Sequence, residues 1–487
     1  MATNRGPMRF PRLLGWFCLS TLLLGTGCDS AQPPIETRWR FVGLQTLAQQ
    51  TNAPALAAAL KLPEFNAARG PLVQRISATL WEAASGNTNL SSATRTALEP
   101  VAFDLAERLS LGEILRDASG KQQWALAIQG DAARAQAWQA GWTALFQGAR
   151  GTGSKAAVVF QGGWIVAVSD AALTPTKSIL TTLAQIPVEP SSVLHLDGSL
   201  AGLGRYQIDA AAKDGAVRTT GQWNQDKAFP SPLPAWERPA FIRDPLVHLT
   251  AARAVSGWVS KWTGLKDVLG SDVPDQVFVW GKAAATSNTP PLQTYLAARV
   301  AKPESWIERA YQAAQPFYPA PPAAPLWLGQ LVFDAKRHQA SIAGFPPINL
   351  APGADDNRSY VVLGMMPQGP SKLGFPKELA AQIERPDVLF YQWENSAEAM
   401  GNFTAIAGAS DILRFRQASI RRPGIAWAGA ASALLNDSVT EAHVTGPTQL
   451  AVKRKSSAGL TASELILFAR WIDGASPPRP RKHPTAQ

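Results

Sequence analysis

The sequence predicts an α+β protein built from tandem split βαβ (ferredoxin-like) units with mixed or antiparallel sheets, preceded by a helical N-terminal segment. Three observations support this fold class. Alanine and leucine recur at helical spacing from about residue 44 to residue 118. From Gln122 onward, short apolar runs alternate with helical stretches in the order β-α-β-β-α-β. A similar order returns after residue 246 and, more loosely, after residue 360.

The first unit begins with a strand at Trp124–Ile128, after which Asp131 is a good N-cap for a helix from Ala132 to Phe146. Two short apolar runs separated by the glycines at 162 and 163 predict a hairpin. A helix from about residue 171 to 185 and a strand at 193–196 complete the unit.

The second unit is predicted from strands at 246–251, 277–280, 292–300 and 326–333 with helices at 255–269 and 305–314. The third has strands at 360–364 and 388–392, a helix at 376–383, a hairpin-like stretch at 438–456 and a closing helix. Thr461 and Glu464 resemble a capping box at the start of that helix. The predicted bounds are therefore 41–230 for the helical segment with the first unit, 231–345 for the second, 346–473 for the third and 474–487 for a basic, proline-rich disordered tail.

The first 27 residues have the layout of a secretory signal peptide. Arg5, Arg9 and Arg12 precede an apolar run at 13–24, and small residues follow directly before Cys28. The apolar run is shorter than the roughly 20 residues that a permanent transmembrane helix needs. We expect residues 28–40 to form a tether after cleavage.

Cys28 is the predicted lipidation site, because a cysteine directly after the small residues resembles a lipobox. The pattern departs from the usual lipobox at Gly25, where leucine is common, and the alternative is an ordinary signal with a chance cysteine. Multiple acyl chains on Cys28 would anchor the chain stably. We therefore expect a periplasm-facing envelope lipoprotein, and Asp29 resembles an inner-membrane retention signal of some Gram-negative bacteria.

Charge argues against a nucleic-acid partner. The formal charge of +10 falls to +7 without the three signal arginines, and to +4 without Arg479, Arg481 and Lys482 of the tail. A balance this weak and diffuse does not provide the basic surface of a nucleic-acid-binding protein.

The remaining motifs predict no cofactor, no metal and no catalytic residue. The loop at 148–155 nearly matches a phosphate-binding loop, but Ser154 and Lys155 are transposed and the loop follows a helix instead of a strand. The polar run at 355–357 lacks the spacing of a calcium loop and is more typical of a turn. The five histidines lie in no metal-binding spacing; they are His195, His248, His338, His443 and His483.

Tryptophan is abundant, with 17 residues against 6 tyrosines. The pairs Trp138/Trp142 and Trp258/Trp262 each share a helical face. Core packing is the commoner use of such pairs, and a stacking platform for sugars or lipids is the alternative.

Three segments resemble uncharacterised exported bacterial proteins with a domain of unknown function. They are 241–246, 385–394 and the C-terminal run from Ser438 to Trp471. This resemblance implies no activity and no catalytic residue.

The leading functional hypothesis is a non-enzymatic binding or assembly module tethered to a membrane by its N-terminal lipid, with an envelope protein or glycan as the partner. The rival is an envelope hydrolase acting on a glycan or peptide, with Asp244 and Glu394 as dispersed catalytic carboxylates. A third hypothesis is a substrate-capturing partner of a transporter, which predicts a deep pocket between units.

Overall fold

A computed structural model of the chain describes residues 36–85, 88–116, 122–148, 157–169, 189–200, 204–259, 270, 272–283, 292–315, 331–342, 348–353, 359–364, 375–413 and 422–474. The signal peptide, Cys28, Asp29, the loop at 149–155, the helix expected at 171–185, the run at 355–357 and the basic tail lie outside the described residues.

The strands are β1 Glu36–Phe41, β2 Ser110–Arg116, β3 Gln122–Gln129, β4 Ala157–Gln161, β5 Trp164–Val168, β6 Ser192–Leu200, β7 Gly204–Lys213, β8 Ala216–Asn224, β9 His248–Arg253, β10 Gln276–Ala283, β11 Leu292–Arg299, β12 Leu331–Asp334, β13 Gln339–Ile342, β14 Ile348–Pro352, β15 Tyr360–Gly364, β16 Val388–Glu394, β17 Ser438–Gly446 and β18 Gln449–Ser456. The helices are α1 Leu44–Leu47, α2 Pro54–Lys61, α3 Pro63–Ser85, α4 Ser92–Glu107, α5 Ala132–Gly148, α6 Ser256–Val259, α7 Pro303–Ala314, α8 Lys377–Ile383, α9 Ser396–Leu413, α10 Pro423–Ala431 and α11 Ala462–Ile472.

Within the described part of the chain, all eighteen strands belong to one antiparallel sheet. The pairings give the spatial order β4-β5-β3-β2-β1-β6-β7-β8-β18-β17-β16-β9-β10-β11-β15-β14-β13-β12. The prediction of tandem ferredoxin-like units is therefore wrong.

The first predicted unit shows why the prediction fails. Strand β3, helix α5 and the hairpin β4-β5 follow in the expected order, and β5 pairs with β3. A split βαβ unit would then place β6 beside β3. Instead β1 and β2 lie between them, because β1 pairs with β2 on one side and with β6 on the other. Those long-range pairings join each would-be unit into the larger sheet, and local periodicity does not reveal them.

The sheet consists of two halves with the same topology. The order β4-β5-β3-β2-β1-β6-β7-β8 is repeated as β14-β15-β11-β10-β9-β16-β17-β18, with β13 and β12 added at the far edge. Register irregularities occur at matching places, between Ser192 and Leu194 in β6 and between Val388 and Phe390 in β16. The last strands of the two halves, β8 and β18, pair at the centre. The arrangement is that of a two-fold symmetric pair contained in one chain.

Helices cover one face of the first half. Helix α5 packs on α4 and on the β4-β5 hairpin, so that Trp138 is fully buried and donates from Nε1 to Asp104 Oδ2 at 2.9 Å. The tight packing of this core appears at Gly112, where an added Cβ would lie 1.8 Å from the Trp39 ring. Trp142 is also buried, which confirms the core-packing interpretation for that pair. No helix within the described ranges is both long and apolar enough to cross a membrane.

Two local predictions are confirmed. The Asp131 side chain accepts from the backbone N–H of Arg134 at 2.8 Å at the start of α5. Thr461 and Glu464 form a reciprocal capping box at the start of α11. In the second half, the opposite sheet face is covered by residues 236–246 and α8, which enclose an aromatic core that includes Phe278, Trp280 and Tyr391.

Candidate functional site

A polar surface lies at the centre of the sheet, on strands β1, β6, β7, β8, β18 and β17. On β7, Arg205 and Gln207 are exposed while Tyr206 is buried, as expected when one face of a strand meets solvent. The cross-strand registers place the following side chains on the same face, which we call the polar face: Arg38, Asp197, Ser199, Arg205, Gln207, Asp209, Thr220, Gln222, Asn224, Glu441, His443, Gln449 and Lys453.

A groove of about 310 Å³ crosses one end of the polar face. It is lined by Arg38, Asp197, Gly198, Ser199, Arg205, Tyr206, Gln207, Gln222 and Asn224. Gln222 and Asn224 belong to β8 and form the far side of the groove. Arg38 is held at the opposite side by a 2.9 Å ion pair from its Nε to Glu113, whose side chain is 3% exposed. The groove therefore offers guanidinium and amide donors together with carboxylate, amide and hydroxyl acceptors.

His195 contacts Asp197 of the groove lining and is held by two carboxylates. Its Nδ1 lies 2.6 Å from Asp209 Oδ1, and its Nε2 lies 3.2 Å from Asp197 Oδ1. The hydrogen bond to Asp197 raises the pKa of His195, burial opposes this effect, and the bond to Asp209 adds to the increase. Both ring nitrogens are engaged, so His195 fixes the two acidic side chains and is not positioned as a free general base.

A second histidine cluster lies across the central strands. His443 Nδ1 lies 2.9 Å from Asp387 Oδ2, and its Nε2 lies 2.9 Å from Glu441 Oε2. Arg385 pairs with Glu441 at 2.8 Å. In the registers, Asp209 is opposite His195 and Glu441 is opposite Tyr391, so Asp209 and Glu441 occupy equivalent positions in the two halves.

The equivalent positions of the second half show that the polar groove is specific to the first half. When the strand registers of the two halves are aligned, four polar positions of the first half correspond to four apolar positions of the second. Arg38, Arg40, His195 and Asp197 correspond to Leu249, Ala251, Tyr391 and Trp393, in that order. The second set belongs to, or packs against, the aromatic core under residues 236–246. One architecture therefore carries a covered apolar core in one half and an open, hydrogen-bonding groove in the other.

The two carboxylates of the hydrolase hypothesis have different surroundings. Glu394 is 2% exposed, and its Oε1 accepts from Ser396 Oγ at 2.7 Å and from the Ala462 backbone N–H at 2.5 Å. Burial raises the pKa of Glu394. Asp244 lies instead beside Lys282 and Arg243. Glu394 thus stabilises the start of α11 from within the protein, and this arrangement gives the hydrolase hypothesis no support.

The other histidines form no site. His248 Nε2 is shielded from solvent and has no hydrogen-bond partner, and burial lowers the pKa of His248 to about 4. His338 is exposed, and His483 lies outside the described residues. Across the described ranges, no group of three or more histidine, cysteine, aspartate or glutamate side chains could hold a metal ion.

No protein family, curated protein or solved structure matches the chain. The resemblance to exported bacterial proteins therefore stays a prediction. No sequence motif singles out the groove residues Arg205, Gln207, Gln222 and Asn224. Their signal is the alternation of polar and apolar residues along β7 and β8, which predicts half-exposed strands without indicating what they bind.

Proposed function

We propose that this chain is a membrane-tethered, periplasm-facing binding module of the bacterial envelope, whose groove takes a hydroxyl- and amide-rich ligand such as cell-wall glycan. The open polar groove carries the proposal. A groove lined mainly by charged and amide side chains is ill suited to a lipid tail or a hydrophobic helix. Its donors and acceptors match a ligand that is polar along its length.

The side chains of the groove suit hydroxyl and acetamido groups. Each amide of Gln207, Gln222 and Asn224 offers both a donor and an acceptor, and Arg205 adds a fork of donors. Asp197 balances part of the positive charge and would repel the phosphates of a nucleic acid. A neutral or weakly acidic polymer is therefore the best chemical match.

The expected anchor places this groove near a membrane. Glu36, the first residue of β1, is opposite Ser199 at the groove end of β6. The eight residues from Cys28 to Glu36 span at most about 28 Å when extended. With lipid on Cys28, the groove would remain close to the membrane surface, within reach of envelope polymers.

The test measures co-sedimentation of the purified mature protein with insoluble peptidoglycan sacculi. We expect the wild type to sediment and an Arg205→Ala/Gln222→Ala variant to lose about tenfold in affinity, the cost of about one to two hydrogen bonds. Arg337→Ala is the matched control, because Arg337 is 79% exposed in the β12-β13 turn. Absence of wild-type sedimentation, or equal loss in the control, would refute the proposed ligand.

A further inference from the structure

We infer that the outer edge of the sheet at β4 is a second binding site, which accepts an extended, uncharged segment of a partner protein as an added strand. Strand β4 pairs only with β5, and no strand of the described residues pairs with its other backbone edge. A two-residue turn at 162–163 makes Gln161 and Trp164 the closing pair. The alternation of an antiparallel ladder then directs the N–H and C=O groups of Val158 and Phe160 outward.

The composition of this edge is unusual for an unprotected strand. Exposed edges are normally blunted by charged residues, proline or bulges. Strand β4 has the sequence Ala-Val-Val-Phe-Gln, and Val159 and Phe160 are 38% and 44% exposed. Nothing in the strand opposes pairing with another chain.

A cleft beside the edge provides the independent observation. It has a volume of about 150 Å³ and lies between α5 and β4, lined by Gln139, Trp142, Thr143, Phe146, Gln147, Ala157 and Val158. A cavity of this size holds a ring as large as benzene. A leucine or phenylalanine side chain on the added strand would therefore fit the cleft.

Charge selects the kind of partner. None of the cleft residues and none of the residues of β4 carries a charge. A charged side chain entering the cleft would lose its hydration without gaining a counterion. The site therefore fits a β-prone segment with apolar side chains on one face, in contrast to the polar groove at the centre of the sheet.

The test uses hydrogen–deuterium exchange of the purified protein with a blocked octapeptide of alternating threonine and leucine. We expect saturating peptide to slow exchange of the Val158 and Phe160 amides about tenfold. The same peptide with lysine in place of leucine should give no protection. Strand β12, the opposite edge, provides the internal reference.

Two variants at Val158 test the backbone pairing. Val158→Pro removes an outward N–H and should abolish protection at Phe160, whereas Val158→Thr keeps the N–H and should behave as wild type. Circular dichroism checks that each variant folds.

Two outcomes would overturn the inference. One is the absence of protection in the wild type, or equal protection by the lysine peptide. The other is a wild-type dimer in light scattering that Val158→Pro abolishes, which would assign the edge to a second copy of the chain. Sedimentation with sacculi depends on the polar groove, so failure of either proposal leaves the other open to its own test.

Discussion

The buried ion pair between Arg454 and Glu464 yields the most quantitative prediction. Arg454 donates from Nη1 and Nη2 to the two carboxylate oxygens of Glu464 at 2.8 and 3.2 Å, and from Nε to Thr440 Oγ1 at 2.9 Å. The Arg454 and Glu464 side chains are 8% and 3% exposed. Glu464 Oε2 also accepts from the Thr461 backbone N–H at 2.9 Å. The pair therefore joins β18 and β17 to the start of α11.

Glu464→Gln tests the charge while retaining an acceptor for the cap. Removing one partner of a buried ion pair costs about 3–5 kcal/mol, because the remaining charge stays buried without compensation. We expect a loss near the lower end of that range, since glutamine can still accept from Arg454 and from Thr461. Thr461→Ala removes only the threonine half of the cap and should cost about 1 kcal/mol.

The assay is urea unfolding followed by circular dichroism, with Arg454→Met and the double variant Arg454→Met/Glu464→Gln completing a double-mutant cycle. The double variant should lose less stability than the sum of the single variants, because it no longer buries an unpaired guanidinium. A loss below about 1 kcal/mol for Glu464→Gln, or a loss no larger than that of Thr461→Ala, would refute the reasoning.

Three further predictions concern the anchor, a buried histidine and a close contact. Labelling with a clickable fatty acid should tag the wild type and not Cys28→Ala; equal labelling, or none in either, would contradict lipidation. Because the pKa of His248 is lowered to about 4, the unfolded state binds a proton that the folded state excludes. Between pH 7.5 and pH 5, urea unfolding should therefore show the wild type losing about 2 kcal/mol relative to His248→Gln; parallel pH profiles would count against this. Gly112→Ala should lower stability by about 1–3 kcal/mol through its clash with Trp39, whereas the thermal midpoint of the control Gly70→Ala, which has open space, should not fall.

The local structure of the chain follows closely from its sequence. The expected strand at Trp124–Ile128 lies within β3, the helix after Asp131 is α5, and the capping box at Thr461 begins α11. These elements depend on neighbouring residues: an oxygen that caps a helix, or apolar side chains that share one face. Such contacts are encoded within a few positions of each other.

The candidate site needed information that local patterns do not contain. Alternation along β7 shows that Arg205 and Gln207 share a face, but only the pairing of β8 with β18 shows that this face continues across the centre of the sheet. Likewise, nothing near His195 in sequence predicts that Asp209 binds its ring. Cross-strand neighbours can come from any part of the chain, and their register decides which side chains meet.

The sequence by itself determined the weak charge of the body and several local helices and strands, and it predicted a signal-like N-terminus and three tandem units. Only the tertiary structure decided that the strands join in one antiparallel sheet of two similar halves, with a covered aromatic core in one half and an open polar groove in the other. The physical reason is that hydrogen-bonded strand pairing is set by long-range burial, whereas propensity and capping act over one or two turns of the chain.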